Sequence, residues 1–123
     1  MATWTIAEIN NLTIEGEHID GALVAKAAGR IDGGNAREFQ SALETLLTDD
    51  ITALLLNFEG LAYISSAGLR VILPVFRQME RMNAKFGVCS LSPSIGEVFQ
   101  ISGFDKIIPT HAAQTDALSS FGS

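Results

Sequence analysis

Two adjacent hydroxyls, Ser65 and Ser66, stand where an apolar stretch gives way to a helical pattern, in the run Leu61-Ala62-Tyr63-Ile64-Ser65-Ser66-Ala67-Gly68-Leu69-Arg70. The first backbone amides of a helix have no partner within it, and the macrodipole adds partial positive charge there. A hydroxyl at that place has two uses. It can cap the helix, or it can carry a phosphate of about −1.5 to −2 charges that the free amides would tolerate. The change in charge would then fall on whatever partner surface touches the helix start. Ser66 is read as either a plain N-cap or a modification point, and Ser65 as the more structural of the pair.

Catalysis finds no comparable support. Ser66-Ala67-Gly68 after a strand looks like half of a nucleophile elbow, but Ile64 occupies the place of its first glycine. The two histidines, His18 and His111, are expected in a turn and a loop, facing solvent. Two distant imidazoles and scattered carboxylates make neither a triad nor a metal set. No phosphate-binding Gly-x-x-x-x-Gly-Lys-[Ser/Thr] motif occurs. The expectation is a chain that is not an enzyme and takes neither cofactor nor metal.

With 123 residues, the chain has room for a single domain spanning 1–123. Apolar residues make up 47% and charged residues 18%, a balance that supports a buried core and excludes general disorder. Fourteen acidic against eight basic side chains give a formal charge of −6, which argues against a nucleic-acid partner. The one basic cluster, Arg70, Arg77, Arg81 and Lys85, lies along a predicted helix as a solvated face or a partner-docking stripe. Cys89 is the only cysteine, flanked by Phe86, Val88 and Leu91. It reads as a buried strand thiol in a reducing compartment. The first residues lack the charged and apolar regions of a signal peptide, and no run approaches the ~20 apolar residues of a membrane span. A cytoplasmic protein without membrane attachment is expected.

The elements that must position the serines alternate between strand and helix. Thr3–Ile9 reads as a short N-terminal strand and Leu12–Glu17 as a second. Asp20-Gly21 forms a hairpin turn, and Leu23–Ala28 is the return strand. Asn35 is placed to cap a helix in a capping box with Glu38, and Ala36, Phe39, Leu43, Leu46 and Leu47 share its inner face. Ile51–Phe58 is apolar on both faces, as in a central strand covered on both sides, and Gly60–Ile64 reads as a loop. Leu69, Ile72, Leu73, Phe76 and Met79 mark the helix after the serines, with Pro74 predicting a kink or a bend. Lys85–Leu91 is the next strand, Ser92-Pro93 opens a helix that Gly103 ends, Ile107-Ile108 is a last short strand, and Ala112–Phe121 is a weak terminal helix. The predicted class is α/β: a mixed sheet with about four helices packed mainly on one side, and Ser65, Ser66 and Asp32 at one end.

Gly29-Arg30-Ile31-Asp32, Asn35 opening the first helix, the strand–loop–Ser-Ser-Ala-Gly-Leu–helix segment, Leu91-Ser92-Pro93 and Ile101-Ser102-Gly103-Phe104 together resemble a stand-alone STAS domain of the anti-sigma factor antagonist family. The likeness runs from about residue 12 to 121. It implies partner switching. An unphosphorylated antagonist binds an anti-sigma factor that is also its serine kinase, phosphorylation at the start of the second helix breaks that complex, and a serine phosphatase restores it. The matching acceptor is Ser66, with Ser65 as the alternative. The implied binding surface takes in Asp32, Asn35, Ser65, Ser66, Ala67, Gly68 and Arg70, on a chain expected to be a monomer. Two positions depart from the family pattern: Ser65 and Asn57 stand where it often has Asp. The rival reading is a STAS scaffold or interaction domain that regulates another output without a phosphorylation cycle.

Overall fold

A computed structural model describes residues 3–122. Six strands form one sheet in sequence order: β1 (Thr3–Ile9), β2 (Leu12–Ile19), β3 (Ala22–Ile31), β4 (Ala53–Ile64), β5 (Lys85–Cys89) and β6 (Thr110–His111). The first three pair antiparallel, and β3 to β6 run parallel, so the sheet is mixed. The hairpin between β2 and β3 turns at Asp20 (φ 52°) and Gly21 (φ 84°), the two positive φ angles a tight hairpin demands.

Each parallel step is bridged by a helix: α1 (Ala36–Glu44), α2 (Ser66–Arg81) and α3 (Pro93–Ser102). Crossovers of one hand on a sheet that grows in one direction put all three on the same face. There Phe39, Leu43, Leu69, Ile72, Met79 and Phe99 pack on Leu23, Ala25, Leu54, Leu56 and Val88. The last helix, α4 (Gln114–Phe121), lies on the other face, where Ala117 and its neighbours cover Val24, Leu55 and Cys89. This explains why Ala53–Phe58 is buried at every position and apolar at all but Asn57: β4 is covered from both sides.

Five expectations are corrected. Gly60–Ile64 is strand, not loop: β4 continues through a register irregularity opposite Ala27, and its last residue Ile64 still pairs with Ile31. Ile107-Ile108 is not the last strand. A 3-10 turn at Phe104–Lys106 holds Ile108 against the Phe104 carbonyl, and pairing with β5 begins only at Pro109, whose carbonyl accepts from Val88. Lys85 opens β5 rather than lying on α2, and its Nζ donates to the Phe121 carbonyl at 2.7 Å. His18 lies on β2, stacked on Trp4, rather than in the turn, and His111 is turned inward, its Nε2 buried without a hydrogen-bond partner. The helix through Pro74 is unbroken from Ser66 to Arg81. Pro74 is exposed, so the Arg70 carbonyl that loses its bond lies on the side water can reach.

Candidate functional site

The parallel strands β3 and β4 finish together, and the Ser65 amide donates to the Ile31 carbonyl at 2.9 Å. This bond joins the start of α2 to the end of β3, so Asp32, Ser65 and Ser66 share one end of the sheet. Ser65, extended at φ −90° and ψ 173°, is the N-cap of α2, and its Oγ accepts from the Gly68 amide at 3.3 Å. The first intrahelical bond runs from Leu69 N to Ser65 O at 3.0 Å. The amides of Ser66 and Ala67 therefore lie ahead of the helical ladder. Ser66 is the first helical residue and is exposed, and its hydroxyl makes no hydrogen bond within the described chain. The cap is Ser65's work.

Gly68 is buried because the helix start descends onto the sheet. A Cβ there would lie 2.6 Å from Ile31 Cγ2 and 2.8 Å from Ile64 Cγ1. The small residue lets α2 sit at this depth and so sets the position of Ser66 two residues earlier. Ala67 is half-buried and Arg70 exposed, one turn beyond Ser66 on the outer side.

Asp32 is only partly buried. Its Oδ1 accepts from the Gly34 amide at 2.9 Å, and its Oδ2 lies 4.0 Å from Arg30 Nε. Asn35 departs from the expected capping box. It occupies the N-cap position of α1, yet its side chain makes no cap bond. Instead its Oδ1 accepts from the Asp32 amide, and its Nδ2 donates to the carbonyls of Asn10 and Arg30, each at 2.9 Å. At 2% exposure it is a buried rivet between the β1–β2 turn, the end of β3 and the loop that carries Asp32, and it offers no surface to a partner. Gly29 belongs to the same junction: its φ of 113° and the Asn11 carbonyl, 2.2 Å from where a Cβ would stand, exclude a side chain.

Register brings one further pair to this end. Arg30 is the partner of Tyr63 on β4, and its guanidinium lies 4.4 Å from the centre of that half-exposed ring. The sequence shows both residues but no sign of their meeting, since Tyr63 reads there as part of a loop. Asn57 is buried far from Ser66. Its Nδ2 donates to Gln114 Oε1 at 2.8 Å and its Oδ1 accepts from the Glu59 amide at 2.9 Å. Cys89 is fully buried under α4, and burial pushes its thiol pKa up. Among the described residues no group of three or more His, Cys, Asp or Glu could hold a metal ion, and no helix is long and apolar enough to cross a membrane.

The chain as a whole has relatives among known proteins. BtrV of Bordetella bronchiseptica, named as a candidate anti-sigma factor antagonist, is 35% identical over 105 residues, covering 85% of this chain and 90% of its own. The anti-sigma F factor antagonist of Paenibacillus polymyxa is 26% identical over 110 residues, 89% of this chain and 94% of that one. The crystal structure of an anti-sigma factor antagonist from Mycobacterium paratuberculosis superposes with a TM-score of 0.84 at 24% identity, covering 91% of this chain and 95% of that one. The family model for the STAS domain matches residues 13–117, and the chain belongs to that family.

Proposed function

We propose that this chain is a non-enzymatic protein-binding switch, an anti-sigma factor antagonist that works by partner switching. Unphosphorylated, it binds an anti-sigma factor that is also a serine kinase. A phosphate on Ser66 ends that complex, and a serine phosphatase renews it. The observation that carries the reading is the division of labour at the start of α2. Ser65 caps the helix, so the Ser66 hydroxyl is exposed and unbonded. A phosphate on Ser66 would sit beside the uncommitted amides of Ser66 and Ala67, leaving the helix intact while about two negative charges face the partner. Ser65, the alternative acceptor, already has its Oγ engaged with the Gly68 amide. Asp32, Ala67, Gly68 and Arg70 belong to the contact surface, directly or by shaping it, whereas Asn35 supports that surface from beneath.

Tandem mass spectrometry of the protein isolated from its own cells, growing and stressed, is the test. Phosphate on Ser66 whose occupancy changes with condition is the expected result. Its absence under every condition would overturn the switch. A second reading, a constitutive interaction domain for some other output, is favoured by the neutral Ser65 where related sequences often carry Asp beside the acceptor, and the same spectra decide between them. Binding supplies a second check: Ser66→Ala keeps the kinase partner, and Ser66→Asp loses several-fold in affinity, the scale of a misplaced interface charge.

A further inference from the structure

At 100° per residue, Ser66, Arg70, Pro74, Arg77 and Arg81 fall within a sector roughly 80° wide on the outer side of α2. All five are exposed. The stripe is about 22 Å long at 1.5 Å per residue, and the serine stands at its head. Three of the chain's eight basic residues are gathered there, on a molecule whose formal charge is −6. Among the described residues none of these arginines lies within 4.0 Å of a carboxylate; the one acidic residue of α2, exposed Glu80, borders the row beside Arg81 without pairing with it. Guanidinium groups keep their charge at any physiological pH and present planar donors suited to carboxylates. A stripe that existed only for solubility would carry both signs, as intrahelical pairs do elsewhere. This one carries a single sign, opposite to that of the whole.

We infer that the outer face of α2 is an electrostatic docking stripe for an acidic protein surface, one that presents a row of carboxylates along about four helical turns. Acidic protein is favoured over nucleic acid because three arginines on an acidic chain release too few counterions for appreciable duplex affinity. A phosphate on Ser66 takes the stripe from three positive charges to about one. It then acts by weakening attraction along the helix, in addition to whatever contact it blocks at the tip. This last step rests on the partner-switching reading; the stripe itself does not.

The test uses the full chain, 15N-labelled, with a synthetic helical peptide carrying glutamate at every third or fourth position and a glutamine copy of it as control. Expected shifts map to residues 66–81. Binding weakens about tenfold in the R70Q/R77Q/R81Q variant, three surface contacts each contributing a factor of about two to three. It fades as salt rises from 50 to 300 mM. The glutamine peptide does not bind. Equal binding by the triple variant, or shifts that map elsewhere, would overturn the stripe. So would a DNA duplex binding the same face more tightly than the peptide does. Phosphoserine placed at Ser66 by genetic encoding is expected to weaken the peptide several-fold. Arginine-dependent binding that ignores this phosphate would support the stripe and count against the switch.

Discussion

Replacing Gly68 by alanine sets two physical effects against each other. Within a helix the change is ordinarily favourable by up to about 1 kcal/mol, since glycine loses more backbone entropy on folding. Here the added methyl would stand 2.6 Å from Ile31 Cγ2 and 2.8 Å from Ile64 Cγ1, with Ile31 Cβ at 3.3 Å. Both isoleucines are buried, at 0% and 4% exposure. Their β-branched side chains hold one χ1 rotamer firmly, so the contacted atoms cannot swing aside. Over-packing a filled core by one methyl costs about 1–3 kcal/mol. The expected net effect of Gly68→Ala is therefore a loss of about 1–2 kcal/mol, relieved only in part by α2 lifting off the sheet. Gly96→Ala on α3 is the matched control: its nearest neighbour would be Leu91 Cβ at 3.9 Å, ordinary contact, and it should gain about 0.5–1 kcal/mol. Urea unfolding of the two variants and the parent, with m unchanged, measures the difference. A Gly68→Ala protein as stable as the parent would refute the claim that α2 is seated by close approach at this residue.

Other outcomes follow from the same contacts. Asn35→Ala should cost about 2–3 kcal/mol, because three hydrogen bonds of about 1 kcal/mol each are lost at a buried site, read as a lower urea midpoint. Ser65→Ala should lose about 0.5–1 kcal/mol with the helix cap, while Ser66→Ala stays within about 0.5 kcal/mol of the parent; the reverse order would mean that Ser66 is the cap. Cys89 should react slowly with a thiol reagent at neutral pH, since its thiol is buried and its pKa raised, and Gln114→Ala should speed labelling several-fold by loosening α4. The sign on stability is that of an acid kept neutral by folding: unfolding becomes easier as pH rises past 9.0, where the unfolded thiol ionises first.

What the sequence made legible was chemistry carried by neighbours in the chain. The Asp20-Gly21 turn, the Ser92-Pro93 helix start (Ser92 Oγ accepting from Ile95 N at 3.3 Å) and the left-handed Gly103 stop each depend on a few adjacent residues. So does the two-sided burial of Ala53–Phe58, since a run apolar at all but Asn57 has only one comfortable place in a sheet. The misreadings depend on distant partners. Asn35 sits where a cap belongs, but the Asp32 amide takes the Oδ1 that would accept from the α1 amides, and the carbonyls of Asn10 and Arg30 hold its Nδ2. Gly60–Ile64 reads as a loop until β3 stands beside it, with Ala28 3.0 Å from where a Gly60 Cβ would be; a strand with an irregularity then satisfies more backbone. The meeting of Arg30 and Tyr63 is a consequence of register alone.

The two departures from the family pattern are not equivalent, and the geometry separates them. Asn57 lies eight residues before Ser65 along β4, on the order of 25 Å at the rise of a strand. Its side chain is consumed in holding Gln114 of α4 and the Glu59 amide. An aspartate there could not donate to Gln114 and would be a buried charge on the α4 side of the sheet, so the asparagine answers to the packing of α4. Ser65 is different. It adjoins Ser66, and serine and aspartate are both strong N-caps, so the exchange keeps the helix start while removing one negative charge beside the acceptor. With Arg70 one turn on, the surroundings of Ser66 become more positive than an aspartate would leave them. On the partner-switching reading proposed above, such surroundings would stabilise a phosphate on Ser66, and dephosphorylation is the step expected to respond. Ser65→Asp isolates that effect, because it restores the charge without moving the cap. Phosphatase turnover of the phosphorylated protein should then rise, with thermal stability unchanged. Unchanged turnover would mean that the charge at position 65 does not reach the phosphate.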